Sequence, residues 1–414
     1  MSSGRASWGH AQILVALLGC AWSAGGCAED PNGGPSLPPP ADGGVSPDVS
    51  DTSDGADFPD GPVVPVGPPM KGLHIVDNRI VNADGMDVRL RGVNRSGSEY
   101  QCLKPAGIFD GPATLASIRV MAAWKINAVR IPLNETCWLG INGVKSGQSG
   151  AAYKQAIVAY VGLFHQFNIV PILDLHWVGP GTTVADRLQP MPDADHAAAF
   201  WADVATTFAD DDGVIFELFN EPFPDGNRDS PAGWLCWRDG CMVRQSVASG
   251  QPAAMFQAIG MQGLVDAVRM TGSRHLLLAG GLQYSNALSG WKAHAPVDPL
   301  ANTAAAWHVY NFNACGNAGC WDGVPAALAA TTPIVMTEFG ENSCGGAFIR
   351  PLLRWGDTHG VGYLAWTWNT WGTCVPPTPP ATQGGKPWAL IGDFATGAPN
   401  GGYAQAYHDH LQGL

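Results

Sequence analysis

Charge is scarce in this chain. Only 14% of its 414 residues are charged, and 22 Lys and Arg stand against 35 acidic residues, a formal net charge of −13. A chain so poor in cations lacks the basic surface that nucleic acid or an anionic membrane demands, so neither is expected as a partner. Long apolar runs are missing too. Past one short segment near the start, no stretch reads as a membrane-spanning helix. Zinc spacing is incomplete: Cys-x₄-Cys occurs twice, at Cys236/Cys241 and Cys315/Cys320, without the usual His partners. No internal repeat and no second domain can be read.

Basic residues are wholly absent between Glu29 and Asp60, where eight acidic ones stand; without those eight and Arg5, about −6 remains from Lys71 onward. The acidity therefore belongs largely to the tail. What the chain does have is apolar residues, 46% of the total, enough for a large core. It also has sixteen Trp. Most read as core packing, but several adjoin polar residues at the ends of strand-like runs.

Met1–Arg5 followed by the apolar run Ile13–Leu18 reads as an export signal, too short to span a bilayer as a mature helix. Leu17-Leu18-Gly19-Cys20 resembles a bacterial lipoprotein box. Ala24-Gly25-Gly26-Cys27 is a poorer match but leaves a longer hydrophobic segment before it. Cleavage at Cys27 also leaves an even set of eight other cysteines. Residues 1–27 are thus expected to be a signal of lipoprotein type, with plain secretion as the alternative. The only membrane contact expected is that N-terminal lipid. Residues 28–70, rich in Pro, Gly and Asp, bury too little to order and are read as a disordered linker. In an exported, secreted or cell-surface protein the other cysteines read as disulfides. Cys236 with Cys241 and Cys315 with Cys320 bracket small loops, leaving Cys102 with Cys137 and Cys344 with Cys374.

From residue 71 to 414 strand-like and helical runs alternate. A hairpin is expected over Leu73–Val81, around Asp77-Asn78. Strands are expected at Val88–Val93, Ala128–Leu133, Val170–Leu175, Val214–Phe219, His275–Ala279, Ala305–His308, Ile334–Thr337 and Gly362–Trp366. Helices are expected at Ala113–Lys125, Ala151–Phe167, Asp195–Phe208, Ala253–Met270 and Phe348–His359. Eight nearly continuous apolar strands with intervening helices predict an α/β fold, a (β/α)₈ barrel with a short N-terminal hairpin. The surplus length falls in loops, notably Pro222–Gln251 and Asn311–Trp321.

The ends of these strands carry the polar residues. Leu218-Phe219-Asn220-Glu221-Pro222 and Val335-Met336-Thr337-Glu338-Phe339-Gly340 each put a glutamate where an apolar strand gives way to a loop. In such a barrel the C-terminal strand ends face one cleft, and two facing carboxyls suit glycosidic-bond cleavage. Other strands end in Arg130-Ile131-Pro132, Asp174-Leu175-His176-Trp177, His308-Val309-Tyr310 and Trp366-Thr367-Trp368-Asn369. Glu217 and Asp174 share strand parity with Glu221 and His176 and read as buried supporting carboxylates. Glu341 lies in a loop and is not a candidate. Asn94–Tyr100 is polar enough to line a subsite.

This set closely resembles glycoside hydrolase family 5, the cellulase-like retaining (β/α)₈ hydrolases, over essentially all of residues 71–414. The resemblance implies Glu221 as general acid/base and Glu338 as nucleophile. It implies Arg130, His176, Asn220, His308, Tyr310 and Trp368 as substrate-binding and supporting residues. No metal or organic cofactor is implied. The expected activity is an endo-acting β-1,4-glucanase on cellulose or soluble β-glucan, acting as a monomer. β-Mannan and exo-action on short oligosaccharides are the alternatives, and a non-catalytic glycan-binding protein is the remaining one.

Overall fold

A computed structural model of the chain describes residues 69–372 and 388–414. The expected signal, nearly all of the expected linker, and Cys374 lie outside those residues. Met70, at the end of the expected linker, is already buried, and its N–H donates to Asn168 Oδ1 at 3.0 Å.

The chain begins with the expected hairpin, β1 (His74–Val76) paired antiparallel with β2 (Arg79–Val81). Strands β3 (Arg91–Asn94), β4 (Ala128–Asn134), β5 (Val170–Trp177) and β6 (Ile215–Glu217) follow. Next come β7 (Met242–Arg244) and β8 (Met255–Gln257), an antiparallel pair outside the main sheet. Strands β9 (Leu277–Gly280), β10 (Thr303–Tyr310), β11 (Ile334–Gly340) and β12 (Gly362–Ala365) complete the set. The sheet closes in the order β3-β4-β5-β6-β9-β10-β11-β12, all parallel, the (β/α)₈ barrel that the alternation predicts.

Its strands are apolar almost throughout because both faces are covered. Ala128, Val170, Ile172, Ile215, Leu278, Ala304, Ala306, Val335 and Leu364 pack inside the barrel. Leu73 and Ile80 of the hairpin region join that cluster, and Ile75 N–H donates to Asn302 Oδ1 just before β10, so the hairpin seals the N-terminal end. Outside, helices bury one stripe each. In Ala151–His165 the buried residues are Tyr153, Ile157, Tyr160, Val161 and Phe164, the three-and-four spacing of one helix face. Each such side chain contributes about 1.5–3 kcal/mol by leaving water.

The expected helix Ala253–Met270 is split. Met255–Gln257 pairs as β8 with β7, and the helix runs from Met261 to Met270. The pairing partner lies in the long insertion after β6, and helical periodicity does not reveal it. Three expected disulfides are present: Cys102–Cys137 joins the segments after β3 and β4, while Cys236–Cys241 and Cys315–Cys320 close small loops. Among the described residues no helix is long and apolar enough to cross a membrane.

One irregularity positions the chemistry. Between β10 and β11, Ala306 pairs with Val335, but His308 pairs with Glu338, so β11 holds one residue more than its neighbour. Strict alternation would turn Thr337 inward and Glu338 away from it. The shift turns both toward the interior, where Thr337 Oγ1 donates to Glu217 Oε1 at 2.8 Å and Glu338 meets Arg130.

Candidate active site

Arg130 anchors the C-terminal mouth of the barrel. It is fully buried, and every arm of its guanidinium is occupied. Nε donates to Glu217 Oε2 at 2.6 Å, and Nη1 donates to Glu338 Oε1 at 2.8 Å and Asn94 Oδ1 at 3.0 Å. Nη2 donates to Asn220 Oδ1 at 2.7 Å and lies 2.9 Å from Asp174 Oδ2. One cation thus serves three buried carboxyls. Burial raises the pKa of Asp174 and of Glu217 to about 7, with Arg130 pulling against it in both. Both residues point into the barrel, as their strand parity predicts.

Removing this cation leaves three carboxyls buried without a counter-charge. Arg130→Met is expected to lower stability by about 3–5 kcal/mol. The midpoint of urea unfolding measures this, and a loss under about 1 kcal/mol would mean that the network does not depend on the cation.

Glu338 accepts from Arg130 on Oε1 and from the Tyr310 hydroxyl on Oε2, at 2.6 Å. Burial raises its pKa, while Arg130, His176 and the Tyr310 hydroxyl pull it back. Burial and then the charge of Glu338 raise the Tyr310 phenol well above its usual value, so it remains a neutral donor. Glu221 is partly open to solvent, and His308 Nδ1 lies 2.9 Å from its Oε1. Among the described residues no Lys or Arg forms an ion pair with it. Burial and then the neighbouring Glu338 charge push its pKa well above the carboxylate range. Burial, Arg130 and His176 depress His308, so its ring is neutral. A neutral ring and a protonated carboxyl share this contact without adding charge to the cleft.

One carboxyl oxygen each from Glu221 and Glu338, with a ring nitrogen of His308, lie within 4.8 Å of one another. A metal is disfavoured among them, because the Arg130 guanidinium already stands where a cation would balance Glu338. A second group of ligand-type atoms, from Asp193, Asp195 and His196, has carboxyl oxygens engaged by the N–H groups of His196 and Gly181.

The other expected residues divide. Asn220 has its oxygen held by Arg130, which aims its Nδ2 at the cleft, 3.4 Å from His176 Nε2. His176 Nδ1 lies 2.6 Å from Asp174 Oδ2. Trp368 does not reach the site. It is fully buried in the outer core, edge-on to Trp124 at 4.9 Å. Trp366 reaches it instead, stacked nearly parallel on His176 at 5.8 Å. Strand β12 ends at Ala365, so alternation does not carry past it and the two Trp face different ways.

Of Asn94–Tyr100, read as a subsite lining, only Tyr100 is partly exposed, its ring 6.4 Å from that of Trp177. Asn94 is buried beneath Arg130 and donates to Thr337 O, and Arg95 is buried against Ser96 O. Glu341 is structural: it accepts from the N–H groups of Gly346, Phe348 and Ile349 at the start of helix Ile349–His359. Thr337 is a supporting residue that sequence reasoning missed. Its adjacency to Glu338 was the only signal, and alternation argued against both facing in.

A closed parallel barrel with a carboxyl pair at its C-terminal mouth defines the class of (β/α)₈ glycoside hydrolases. Comparison with known proteins narrows the class. The cellulase family, glycosyl hydrolase family 5, matches residues 81–372, and the chain belongs to that family. It is 26% identical over 302 residues to a mannan endo-1,4-β-mannosidase of Streptomyces lividans, covering 72% of this chain and 66% of that protein. It is 22% identical over 305 residues to a mannan endo-1,4-β-mannosidase of Salipaludibacillus agaradhaerens, covering 72% and 82%. Among solved structures it resembles the β-mannanase of Streptomyces thermolilacinus, with TM-score 0.55, 20% identity, and 82% and 95% of the two chains covered. It also resembles a β-glucanase of Saccharophagus degradans in complex with cellotetraose, with TM-score 0.59, 18% identity, and 82% and 93% covered. At such identities the structures speak to the fold alone.

Proposed function

We propose that this glycoside hydrolase is an exported, retaining endo-β-1,4-glycanase acting on β-mannan, with β-glucan as the second reading. The carrying observation is the pair Glu221 and Glu338, with carboxyl oxygens within 4.8 Å and Arg130 and Tyr310 on Glu338 alone. Retaining enzymes place their carboxyls about 5–5.5 Å apart, inverting ones about 6.5–9.5 Å. β-Mannan is favoured by the two mannosidase relatives in sequence. β-Glucan, the first expectation from the sequence, is supported by the match to the cellulase family.

In this reading Glu338 attacks the anomeric carbon while Glu221 gives its proton to the departing sugar oxygen. The ester formed at Glu338 carries no charge, so the repulsion that raised the pKa of Glu221 disappears. Glu221 then takes a proton from water, whose oxygen displaces Glu338. Asn220 is placed to hydrogen-bond the sugar 2-hydroxyl, and Trp366 to cover the ring. The signal-like start supports export, with a lipid anchor at Cys27.

Reducing-sugar release by the purified protein tests the substrate. The panel is galactomannan, glucomannan, carboxymethylcellulose, mixed-linkage β-glucan and xylan. Release from the mannans with little from carboxymethylcellulose is expected. The reverse pattern moves the enzyme to β-glucan, and silence of the folded protein on every polymer overturns endo-action.

A further inference from the structure

Two carboxyls that the reaction does not use are buried together beside the ends of β4 and β5. Glu135 opens the helix Glu135–Leu139 directly after β4, and Asp193 lies in the long loop after β5. Both are 0% exposed. The backbone fixes their places. Asn134 Oδ1 accepts from Cys137 N–H at 3.0 Å and so caps the helix that Glu135 begins. Asp193 forms an antiparallel bridge with Ala258, next to β8, and Ala194 N–H donates to Gln257 O at 2.9 Å.

Each carboxyl has one oxygen held by a backbone donor. Gly179 N–H donates to Glu135 Oε2 at 2.9 Å, and His196 N–H donates to Asp193 Oδ1 at 2.8 Å. The other two oxygens, Glu135 Oε1 and Asp193 Oδ2, are buried and receive no hydrogen bond from an N–H or O–H group of the described residues. The two side chains lie within hydrogen-bond reach of each other. Two carboxylates cannot satisfy one another, because neither can donate, so a proton or a cation must stand between them. Among the described residues no Lys or Arg forms an ion pair with either, and the charges that act on them are their own and those of Asp195 and His196. Burial, and then the charge of Asp193, raise the pKa of Glu135 well above the carboxylate range, as an anion without a counter-charge requires.

Asp195 and His196 decide between proton and cation. A shared proton needs nothing beyond the pair. Here Asp193, Asp195 and His196 each bring a ligand-type atom within 4.8 Å of the others, from the buried Asp193 out to the exposed Asp195. Asp195 Oδ2 accepts from Gly181 N–H at 3.0 Å, which leaves its Oδ1 free, and His196 Nε2 lies 2.8 Å from Gly181 O. With Nε2 donating to that carbonyl, Nδ1 keeps its lone pair for a metal. The group at Glu221 and Glu338 has Arg130 as its cation, whereas this one has none. Carboxyls joined by an imidazole suit Zn²⁺ or Mn²⁺ better than Ca²⁺, which takes oxygen ligands. A metal here would pin the loop that leaves β5 at His176 and, at Pro190 O, accepts from Phe223 N–H at 2.9 Å, two residues past Glu221.

We propose that Glu135, Asp193, Asp195 and His196 bind one divalent cation of the zinc or manganese class, which staples the loop after β5 to the start of the helix after β4. The purified protein is freed of metal with EDTA and titrated with Zn²⁺ or Mn²⁺, reading bound metal by elemental analysis together with the melting temperature. One equivalent bound, with a melting temperature that rises with free cation, is expected. Glu135→Gln keeps an acceptor for Gly179 N–H and gains a donor toward Asp193, so its fold is expected to survive. Its affinity for the cation is expected to fall by at least the roughly 10–100-fold that loss of an outer-shell partner costs a metal site. Asp195→Asn keeps the acceptor for Gly181 N–H and stands at the surface. It is expected to weaken binding in the same direction, which keeps the test open if Glu135→Gln does not fold. No metal bound, with a melting temperature indifferent to EDTA and to either cation, would overturn the site and leave a proton shared by Glu135 and Asp193. An equivalent of metal that survives both substitutions undiminished would overturn it as well, because the ion then sits elsewhere, as at Glu221, His308 and Glu338.

Discussion

Replacing Glu338 by Gln is expected to lower kcat on the preferred glycan by a factor on the order of 10⁴ or more while glycan binding persists. The amide keeps the shape of the side chain, and its oxygen can still accept from Arg130 while its NH2 donates to the Tyr310 hydroxyl oxygen, but it has no charge with which to attack the anomeric carbon. Loss of one carboxylate also leaves Arg130 with two carboxyl partners, Asp174 and Glu217, so the guanidinium stays paired and the fold is expected to survive. Binding, followed by quenching of tryptophan fluorescence on glycan titration, separates this from collapse of the site. Retention of a tenth of the activity would remove Glu338 from the nucleophile's place. Unchanged activity would leave the carboxyl pair without a catalytic role.

Glu221→Ala carries the second large effect, and it depends on the substrate. On the glycan the leaving oxygen is a poor leaving group without a proton, so a loss of about 10²–10⁴-fold is expected. On a 2,4-dinitrophenyl glycoside the leaving group departs unaided. The first step then outruns hydrolysis of the ester at Glu338, and a burst of dinitrophenolate equal to the enzyme concentration is expected. Equal losses on both substrates, with no burst, would count against Glu221 as the acid.

The pH profile follows from the same pair. In the proposed mechanism the active form has Glu338 ionised and Glu221 protonated. Activity falls at low pH as Glu338 gains its proton and at high pH as Glu221 loses its own. Burial and the Glu338 charge both raise Glu221, so the alkaline limb stands well above the ordinary carboxylate range. With the dinitrophenyl glycoside, Glu221→Ala should lose that alkaline limb from kcat/KM and keep the acid one.

The sequence carried the barrel and the two glutamates for identifiable reasons. Strands covered on both faces must be apolar along their length, and each ends where Pro, Gly or a polar residue breaks the run. Leu218–Pro222 and Val335–Gly340 have that form, so their glutamates fall at the mouth whatever the rest of the chain does. The stripes of the larger helices are equally local: Tyr153, Ile157, Tyr160 and Phe164 mark a helix face without reference to any partner.

What the sequence could not decide depends on partners far along the chain. The extra residue in β11 turns Glu338 inward, and it exists because that strand pairs with β10 in a register that no local pattern announces. Arg130 meets Glu217 and Glu338 across separations of 87 and 208 residues. Trp366 and Trp368 have the same composition and the same parity, yet one stacks on His176 and the other fills the outer core beside Trp124. The turn at Gln283–Ser285 adopts a backbone its residues disfavour, because Asn220, Pro222 and Asn227 hold it there. By itself, then, the chain's local pattern determined the strands, the helices and the place of the two carboxyls. The tertiary structure decided which side chains face the cleft and which carboxyl Arg130 and Tyr310 hold. Both depend on burial and on charges brought together from distant strands, and neither is a property of any short segment.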